Sequence, residues 1–275
     1  MSTINCKGTL IDLSTPKVMG IVNVTPDSFF DGGKLTNSDE IVVQVEKMLQ
    51  DGATFIDLGG YSSKPGAEFV SETEELNRVV PIVKLLVEKF PDILLSIDTF
   101  RSEVAKQTVE NGAAIINDIS AGLLDEKMLE TVAKLQVPYI MMHMKGTPKT
   151  MQSLANYDDL LKEMNFYFSE RIAKARNFGL NDIIIDPGFG FAKTLEHNYE
   201  LLQNLELLQF HELPILAGIS RKSMIYKTLE TSPEDALNGT TFLHAFCLQK
   251  GSNILRVHDV KEAVECVKLM CRLGN

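Results

Sequence analysis

Short apolar segments alternate with longer amphipathic segments from one end of the chain to the other. The apolar segments are rich in Ile, Val and Leu and are bounded by Gly, Pro, Asp or Asn, as is typical of strands buried on both faces. They are KVMGIVNV, TFIDLGG, ILLSIDT, AIINDIS, VPYIMMHM, DIIIDPG, LPILAGIS and SNILRVHD. The segments between them have helical periodicity, which predicts helices over 38–51, 72–89, 101–111, 124–135, 156–178, 195–206, 234–250 and 259–272.

Strict alternation of strands and helices predicts a parallel sheet. Eight strand–helix units without a polar linker between them favour an α/β fold, a (β/α)8 TIM barrel that forms a single domain over 1–275. The alternative is a doubly wound open sheet, which would prefer a Gly-rich turn after its first strand, where this chain has NVTPDSFFDGG. The N-terminal segment CKGTLIDLS is predicted to form a short strand or hairpin at the barrel floor.

Composition narrows the class of partner. The net charge is −10, from 27 basic and 37 acidic residues, which disfavours binding to nucleic acid or to an acidic membrane surface. No segment has the length and apolarity of a membrane span or the pattern of a signal peptide. The four cysteines lack metal-binding spacing, so they are expected to be reduced thiols in a cytoplasmic protein.

Basic residues recur just after the predicted strands, and this pattern favours a site for an anionic ligand. They are Lys64, Arg101, Lys145, Lys193, Arg221, Lys222 and Arg256. Two long loops after the first two strands, NVTPDSFFDGG and GGYSSKPGAE, are predicted to act as lids that close on substrate.

Three predicted strands end in a polar residue that would be costly to bury without a partner: Asp98, Asn117 and Asp186. In a barrel, strand ends point into the mouth where ligands bind. Carboxylates and an amide there match the donors and carbonyl of a 2-amino-4-oxo pyrimidine edge, as in guanine or a pterin. Spacing alone also leaves open a metal site built by the two aspartates.

Further motifs add a basic rim and an apolar wall. The segment SRKSMI lacks the framing glycines of a nucleotide-binding loop, and DPGFGF lacks the third glycine of a dinucleotide fingerprint. Phe191 is instead predicted to form a flat wall. Arg256 and His258 share one side of an extended segment, so with Lys222 they could hold phosphates or stack on a heterocycle. His143 is expected to be structural.

The motifs, in order, strongly resemble those of the dihydropteroate synthases, the folate-pathway enzymes inhibited by sulfonamides. They are MGIVNVTPDSFFDGG, DLGGYSSKPGA, SIDTFRSEVA, INDIS, MMHMKGTP, DPGFGFAKTLEHNY, GISRKSMI and RVHDV. The resemblance implies that a pterin diphosphate condenses with p-aminobenzoate to give dihydropteroate and diphosphate. It also implies that the diphosphate is lost before the arylamine attacks. The protein would be cytoplasmic and would form a homodimer through outer helices near the C-terminus.

The resemblance further assigns roles to individual residues. The pterin would be bound by Asp98, Asn117, Asp186, Lys222, Met142 and Arg256. The diphosphate would be received by Asn23 with Mg²⁺, and by Lys64, Lys222, Arg256 and His258. The p-aminobenzoate pocket would be bordered by Ser63, Pro65, Phe191 and Ser220, with Asp27 and Phe29 closing it.

Three positions depart from the family pattern. Lys64 replaces an Arg, Ser63 replaces a common Thr, and Phe30 replaces a frequent Ser. Lysine keeps the charge but loses bidentate geometry, so contacts to diphosphate there are expected to change. Because these loops border the drug-contacting region, sulfonamide sensitivity does not follow from the resemblance.

Two other functions remain open. A methyltetrahydrofolate:corrinoid methyltransferase would share the Asp/Asn/Asp barrel but would not need the cationic set or SRKSMI. A pterin-binding protein without catalysis is the second alternative, and the intact loops after the first two strands argue against it.

Overall fold

The computed structural model describes residues 3–24, 36–61 and 69–274 of the chain. An antiparallel hairpin of β1 (Thr3–Cys6) and β2 (Thr9–Asp12) comes first. The parallel strands that follow are β3 (Lys17–Asn23), β4 (Phe55–Gly59), β5 (Leu95–Asp98), β6 (Ile115–Asp118), β7 (Tyr139–Met142), β8 (Ile183–Asp186), β9 (Leu216–Ala217) and β10 (Ile254–Val257). The helices are α1 (Thr36–Gln50), α2 (Glu72–Lys89), α3 (Ser102–Glu110), α4 (Met128–Leu135), α5 (Leu160–Asn177), α6 (Leu195–Gln203), α7 (Ser223–Thr228), α8 (Leu237–Gln249) and α9 (Val260–Arg272).

The parallel strands pair in the order β8-β7-β6-β5-β4-β3-β10-β9. A bridge between Ile185 and Ile215 then joins β8 to the segment that leads into β9, so the sheet closes on itself. Within the described ranges this gives eight strands in a ring with helices outside, which confirms the predicted (β/α)8 barrel over the doubly wound sheet.

The barrel wall separates two cores because successive strand residues point to opposite sides. Outward residues such as Leu58, Ile97 and Ile185 pack against the surrounding helices. Inward residues of the lower layer pack with residues of the N-terminal hairpin and its exit. The members of this floor cluster are Ile4, Cys6, Leu13, Met19, Phe55, Ala114, Ile115, Ile140, Ile184, Leu216 and Ile254. The predicted plug at the barrel floor is therefore present and apolar.

Two residues further along several strands, the inward position becomes polar. Phe55 is followed by Asp57, Ile115 by Asn117, Ile184 by Asp186 and Ile254 by Arg256. Along the strands, the inward residues therefore change from apolar at the floor to polar at the mouth. The candidate functional side chains lie at the mouth.

The helix predictions differ from the structure mainly at element ends. Helix α2 has the predicted bounds, and the Ser71 hydroxyl caps it by accepting a hydrogen bond from Glu74 N at 3.1 Å. Helix α4 begins at Met128 rather than 124, because Asp125 lies in a turn and accepts from Ser102 N of α3 at 2.7 Å. The six-residue helix α7, which follows β9, was not predicted.

In the part of the chain that the structure describes, no helix is long and apolar enough to cross a membrane. Cys6, Cys247 and Cys266 are buried and Cys271 is exposed, and all four are free thiols.

Candidate active site

The predicted pterin-binding residues Asp98, Asn117 and Asp186 lie at the ends of β5, β6 and β8. Asp98 and Asn117 are register partners on neighbouring strands, and Met142 and Asp186 are partners across β7 and β8. The structure therefore brings the three predicted polar residues to the same end of the barrel. Their side chains share this mouth with two cations, Arg256 and Lys222.

Arg256 is held by two carboxylates. Its Nε donates to Asp57 Oδ2 at 2.6 Å and its Nη2 donates to Asp98 Oδ2 at 2.8 Å. Although burial acts to lower it, the neighbouring carboxylates of Asp57 and Asp98 raise the pKa of Arg256. The guanidinium is therefore a permanent positive charge fixed in the centre of the mouth.

Lys222 lies across the mouth, at the residue that precedes α7. Its Nζ donates to the Phe189 carbonyl and lies 4.8 Å from the centre of the Phe191 ring. Burial lowers the pKa of Lys222 to about 8, against the opposing effect of Asp186. The ammonium group consequently loses its proton at a lower pH than an exposed lysine would.

The pKa values of the carboxylates at the mouth are raised, whereas that of Lys222 is lowered. Burial raises the pKa of Asp98 to about 7, although Arg256 acts to lower it. Burial also raises the pKa of Asp186, and Lys222 together with the Gly188 N–H opposes that shift. Asp186 Oδ1 accepts from Gly188 N at 2.7 Å, which anchors the start of the DPGFGF loop. Donors supplied by a ligand would favour the ionised form of both groups.

The mouth is open above Gly218. A methyl group placed on this residue would lie 4.0 Å from Arg256 Cβ, from Asp186 Oδ2 and from Lys222 Nζ. Among the described residues, these three side chains are the nearest to that position, and none comes closer than 4.0 Å. This is the position at which a flat ligand can contact the carboxylates and the cations together.

An apolar wall flanks this space. Met142 belongs to a small cluster with Ile119, Met144 and Met151, and Phe191 packs against that cluster. The structure places Phe191 beside this cluster, and its role as a flat wall against a ligand stays a prediction. A ring in the mouth would have polar partners at its edge and apolar side chains over its face.

Ser220 and His258 form a second pair at the ends of neighbouring strands. Ser220 Oγ and His258 Nδ1 are 3.0 Å apart, and the His258 backbone N–H donates to the same hydroxyl at 3.2 Å. Asn23 is exposed at the end of β3. Its Oδ1 would lie 3.9 Å from a methyl group on Gly59, at the same distance as Asp98 Oδ2. Asn23 thus reaches the mouth beside Asp98.

Five predicted site residues lie outside the described residues: Asp27, Phe29, Ser63, Lys64 and Pro65. Phe30 lies outside them as well. Their predicted roles, and the effect of the departures from the family pattern, stay predictions.

The wider pattern of basic residues after strands does not mark one anionic site. Arg101 donates to Glu75 Oε2 at 2.5 Å and to the Val70 carbonyl at 2.6 Å. Lys145 pairs with Glu163 at 2.6 Å. Arg221 pairs with Asp259 at 2.8 Å. These three cations pair with groups away from Asp98 and Asp186, whereas Lys222 and Arg256 lie beside these carboxylates at the mouth.

Two residues at the mouth escaped the sequence-based site assignment. Asp57 Oδ2 accepts hydrogen bonds from Arg256 Nε and from Asn117 Nδ2. Lys193 is buried, and its Nζ lies 3.1 Å from His143 Nδ1 and 3.0 Å from the carbonyls of Gly188 and Phe191. Lys193 and His143 therefore shape the DPGFGF loop, and the structural role expected of His143 agrees with these contacts. The signal for Asp57 was a lone charge inside an apolar strand, and Lys193 was noted as a basic residue after a strand.

Comparisons with known proteins agree with this geometry. The family described as "Pterin binding enzyme" matches residues 19–258. A dihydropteroate synthase of Escherichia coli K12 is 45% identical over 266 residues, which cover 96% of this chain and 94% of the relative.

Solved structures extend the likeness to three dimensions. The Yersinia pestis dihydropteroate synthase in complex with a sulfonamide drug has a TM-score of 0.92 at 44% identity, covering 98% of each chain. The Xanthomonas albilineans dihydropteroate synthase with 4-aminobenzoic acid has a TM-score of 0.90 at 39% identity, covering 98% of this chain and 97% of that one. With a matching family model and full-length relatives, the chain belongs to the pterin-binding enzyme family and, within it, to the dihydropteroate synthases, which are transferases of folate synthesis.

Proposed function

We propose that the barrel mouth condenses 6-hydroxymethyl-7,8-dihydropterin diphosphate with p-aminobenzoate to give 7,8-dihydropteroate and diphosphate. The observation that carries this proposal is the convergence of Asp186, Lys222 and Arg256 around the space above Gly218, with Asp98 bound to Arg256 beside them. Acceptors at the edge and cations beside them match a heterocycle that carries a charged leaving group. The 4-aminobenzoic acid in the related Xanthomonas structure supports the second substrate.

The proposed condensation does not need a strong general base. The C–O bond to the diphosphate breaks first, and the electron-rich pterin delocalises the resulting cation. The diphosphate leaves with the electron pair of that bond. The amine nitrogen then uses its lone pair to form the new C–N bond and releases a proton to solvent. Arg256, Lys222 and His258 would stabilise the charge on the departing diphosphate, and the carboxylates and Asn117 would hold the ring in place.

A magnesium ion fits this arrangement only when the diphosphate supplies most of its ligands. Mg²⁺ prefers oxygen ligands and is commonly held by one or two protein groups plus substrate phosphates. Asn23 offers one amide oxygen at the mouth, and the described residues contain no group of three or more His, Cys, Asp or Glu placed to hold a metal. When bound, the ion would neutralise charge on the diphosphate. Calorimetric titration of Mg²⁺ should therefore show binding only with diphosphate present, and Asn23→Ala should weaken it.

The function is tested by incubating the protein with labelled p-aminobenzoate and the pterin diphosphate. We expect label in dihydropteroate and an equal amount of released diphosphate. Turnover that requires methyltetrahydrofolate and a corrinoid protein would instead establish the methyltransferase alternative. Tight pterin binding without any product at saturating p-aminobenzoate and Mg²⁺ would establish a non-catalytic protein.

We also propose that the chain forms a homodimer through its last two helices, α8 and α9, which pack against each other. Phe242 of α8 is 71% exposed and Leu269 of α9 is 68% exposed, so each of these two helices presents a large apolar side chain to solvent. Sedimentation velocity should show a dimer that Phe242→Glu converts to monomer, and a monomeric wild-type chain would refute the assignment.

The free thiols of Cys247 and Cys266 on the same helices support a reducing, cytoplasmic location.

A further inference from the structure

Asp57 of β4 lies inside the barrel between the apolar floor and the mouth, and it is fully buried. One of its oxygens, Oδ2, accepts from Arg256 Nε at 2.6 Å and from Asn117 Nδ2 at 3.1 Å. A single carboxylate oxygen thus links a cation from β10 to an amide from β6. Both of these partners face the proposed pterin site, whereas Asp57 itself lies behind them.

The bond to Asn117 decides which atoms the amide offers to a ligand. Because Nδ2 donates one hydrogen to Asp57, the carbonyl oxygen Oδ1 and the second amide hydrogen are left for the mouth. The side chain of Asn117 is therefore held in one of its two amide orientations by a charged acceptor.

The guanidinium of Arg256 divides its donors between two carboxylates. Nε contacts Asp57, while Nη2 contacts Asp98 Oδ2 at 2.8 Å. Asp98 is also a proposed acceptor for the N–H groups of the pterin. A ligand N–H that approaches Asp98 Oδ2 therefore meets Arg256 Nη2, which already donates to the same oxygen.

The other oxygen of Asp57 provides a place for the displaced donor. Asp57 Oδ1 is buried and has no hydrogen-bond partner among the described residues. Nε and Nη2 lie on the same edge of a guanidinium, and this edge can bond side by side to the two oxygens of one carboxylate. Burying an acceptor without a donor is unfavourable, so a donor that reaches Asp57 Oδ1 is favoured.

We propose that Asp57 is a positioning residue that takes both donors of Arg256 when the pterin binds, which releases Asp98 for the ligand. In this structure the guanidinium edge is divided between Asp57 Oδ2 and Asp98 Oδ2. In the complex it forms a two-point contact with Asp57, and Asn117 keeps its orientation throughout. The inference rests on the proposed function, because it requires a pterin at Asp98.

The direct test is a structure of the wild-type protein with 6-hydroxymethylpterin bound, compared with a structure without ligand. We expect Arg256 Nη2 to lie within hydrogen-bond distance of Asp57 Oδ1 in the complex and no longer within that distance of Asp98. An Nη2 that stays on Asp98 with the pterin bound would overturn the proposal. This measurement does not depend on any variant folding correctly.

The second test compares Asp57→Asn with Ser96→Ala by calorimetric binding of 6-hydroxymethylpterin and by thermal unfolding. Ser96 is the register partner of Asp57, is buried, and has a hydroxyl without a partner among the described residues, so it is a matched control. We expect Asp57→Asn to weaken pterin binding by roughly tenfold or more, as the loss of a charged two-point contact implies, while Ser96→Ala leaves it unchanged.

The binding experiments separate this inference from the proposed function. Asp57→Asn should raise KM for the pterin diphosphate more than KM for p-aminobenzoate, which a general loss of stability would not do, and Ser96→Ala should change neither value. Equal pterin affinity in Asp57→Asn and Ser96→Ala would refute the role of Asp57 even if wild-type turnover is normal. Wild-type protein that binds pterin but makes no dihydropteroate would refute the proposed function and leave the binding comparison intact.

Discussion

The floor and the mouth of the barrel are built from the same strands, and they differ in what their inward residues do. On β8, Ile184 packs with the N-terminal hairpin, and Asp186, two residues later, faces the mouth. On β10, Ile254 and Arg256 repeat the same step. The floor residues have their partners within the protein, whereas Asp98 holds a contact to Arg256 that, in our proposal, a ligand exchanges. A strand of this barrel therefore stabilises the fold at one end and leaves binding capacity at the other.

The largest effect is expected from Asp186→Asn. This variant keeps an oxygen for Gly188 N but places an NH₂ group where a ligand donor would bind. Pterin affinity should fall at least about 100-fold, because donor would face donor in a buried site, while the melting temperature changes little. Calorimetric titration and thermal unfolding measure the two quantities, and unchanged affinity would remove Asp186 from the site.

Ile184→Ala should have the opposite profile on the same strand. Removing this fully buried floor side chain should lower the free energy of unfolding by about 2–5 kcal/mol. Pterin affinity of the folded protein should remain within a few fold of the wild-type value. Denaturant unfolding together with calorimetry checks the pair, and a large loss of affinity without loss of stability would contradict the division between floor and mouth.

Gly218→Ala probes the open space itself. The added methyl group meets no described atom closer than 4.0 Å, so the fold should tolerate it, but the methyl occupies ligand space. We expect pterin affinity to fall by roughly 10- to 200-fold. Gly60→Ala is a useful contrast, because its methyl would lie 2.4 Å from Val79 Cγ2 and should destabilise the fold instead. Equal pterin affinity in Gly218→Ala and wild type would place the ligand elsewhere.

The smallest effect concerns pH. Asp98 becomes a carboxylate as pH rises through about 7, and Lys222 loses its positive charge as pH rises through about 8. The value of kcat/KM for the pterin diphosphate should therefore rise toward about 7 and fall beyond about 8. In Lys222→Arg the alkaline limb should move up by at least about one pH unit, because a guanidinium stays charged. A limb that does not move would assign it to another group.

The fold was largely predictable because eight buried strands leave eight apolar segments in the sequence, and the loops between helices and strands contain clear breakers. Gly112, with φ +107°, ends α3 as its position after a helical segment suggested. Helix α7 was missed because its six residues are too short to show periodicity. The start of α4 was misplaced because Asp125 caps a different helix, a contact that no local pattern reveals.

The site was predictable only in part, because sequence shows that a polar residue is buried but not which way it points. Asp57 and Asp118 each stand in an apolar strand. Asp118 accepts from the Tyr139 hydroxyl at 2.6 Å and from the backbone N–H groups of Ser120 and Gly122, so it is satisfied within the wall. Asp57 instead points inward to Arg256, which lies 199 positions away in the chain. Such distant pairing is set by barrel closure and cannot be read from spacing.

The hairpin at the barrel floor also determines the route by which substrates enter and products leave. Because Ile4, Cys6 and Leu13 seal the lower end in the described part of the chain, substrates and products have to share the upper opening. Under the proposed function, a ring seated on Asp186 lies deeper than a partner that reaches it from above. The deeper molecule then has to be loaded first, and the joined product must leave before another ring can enter. The hairpin would thus fix the order of substrate binding and product release, although it contributes no group to the chemistry.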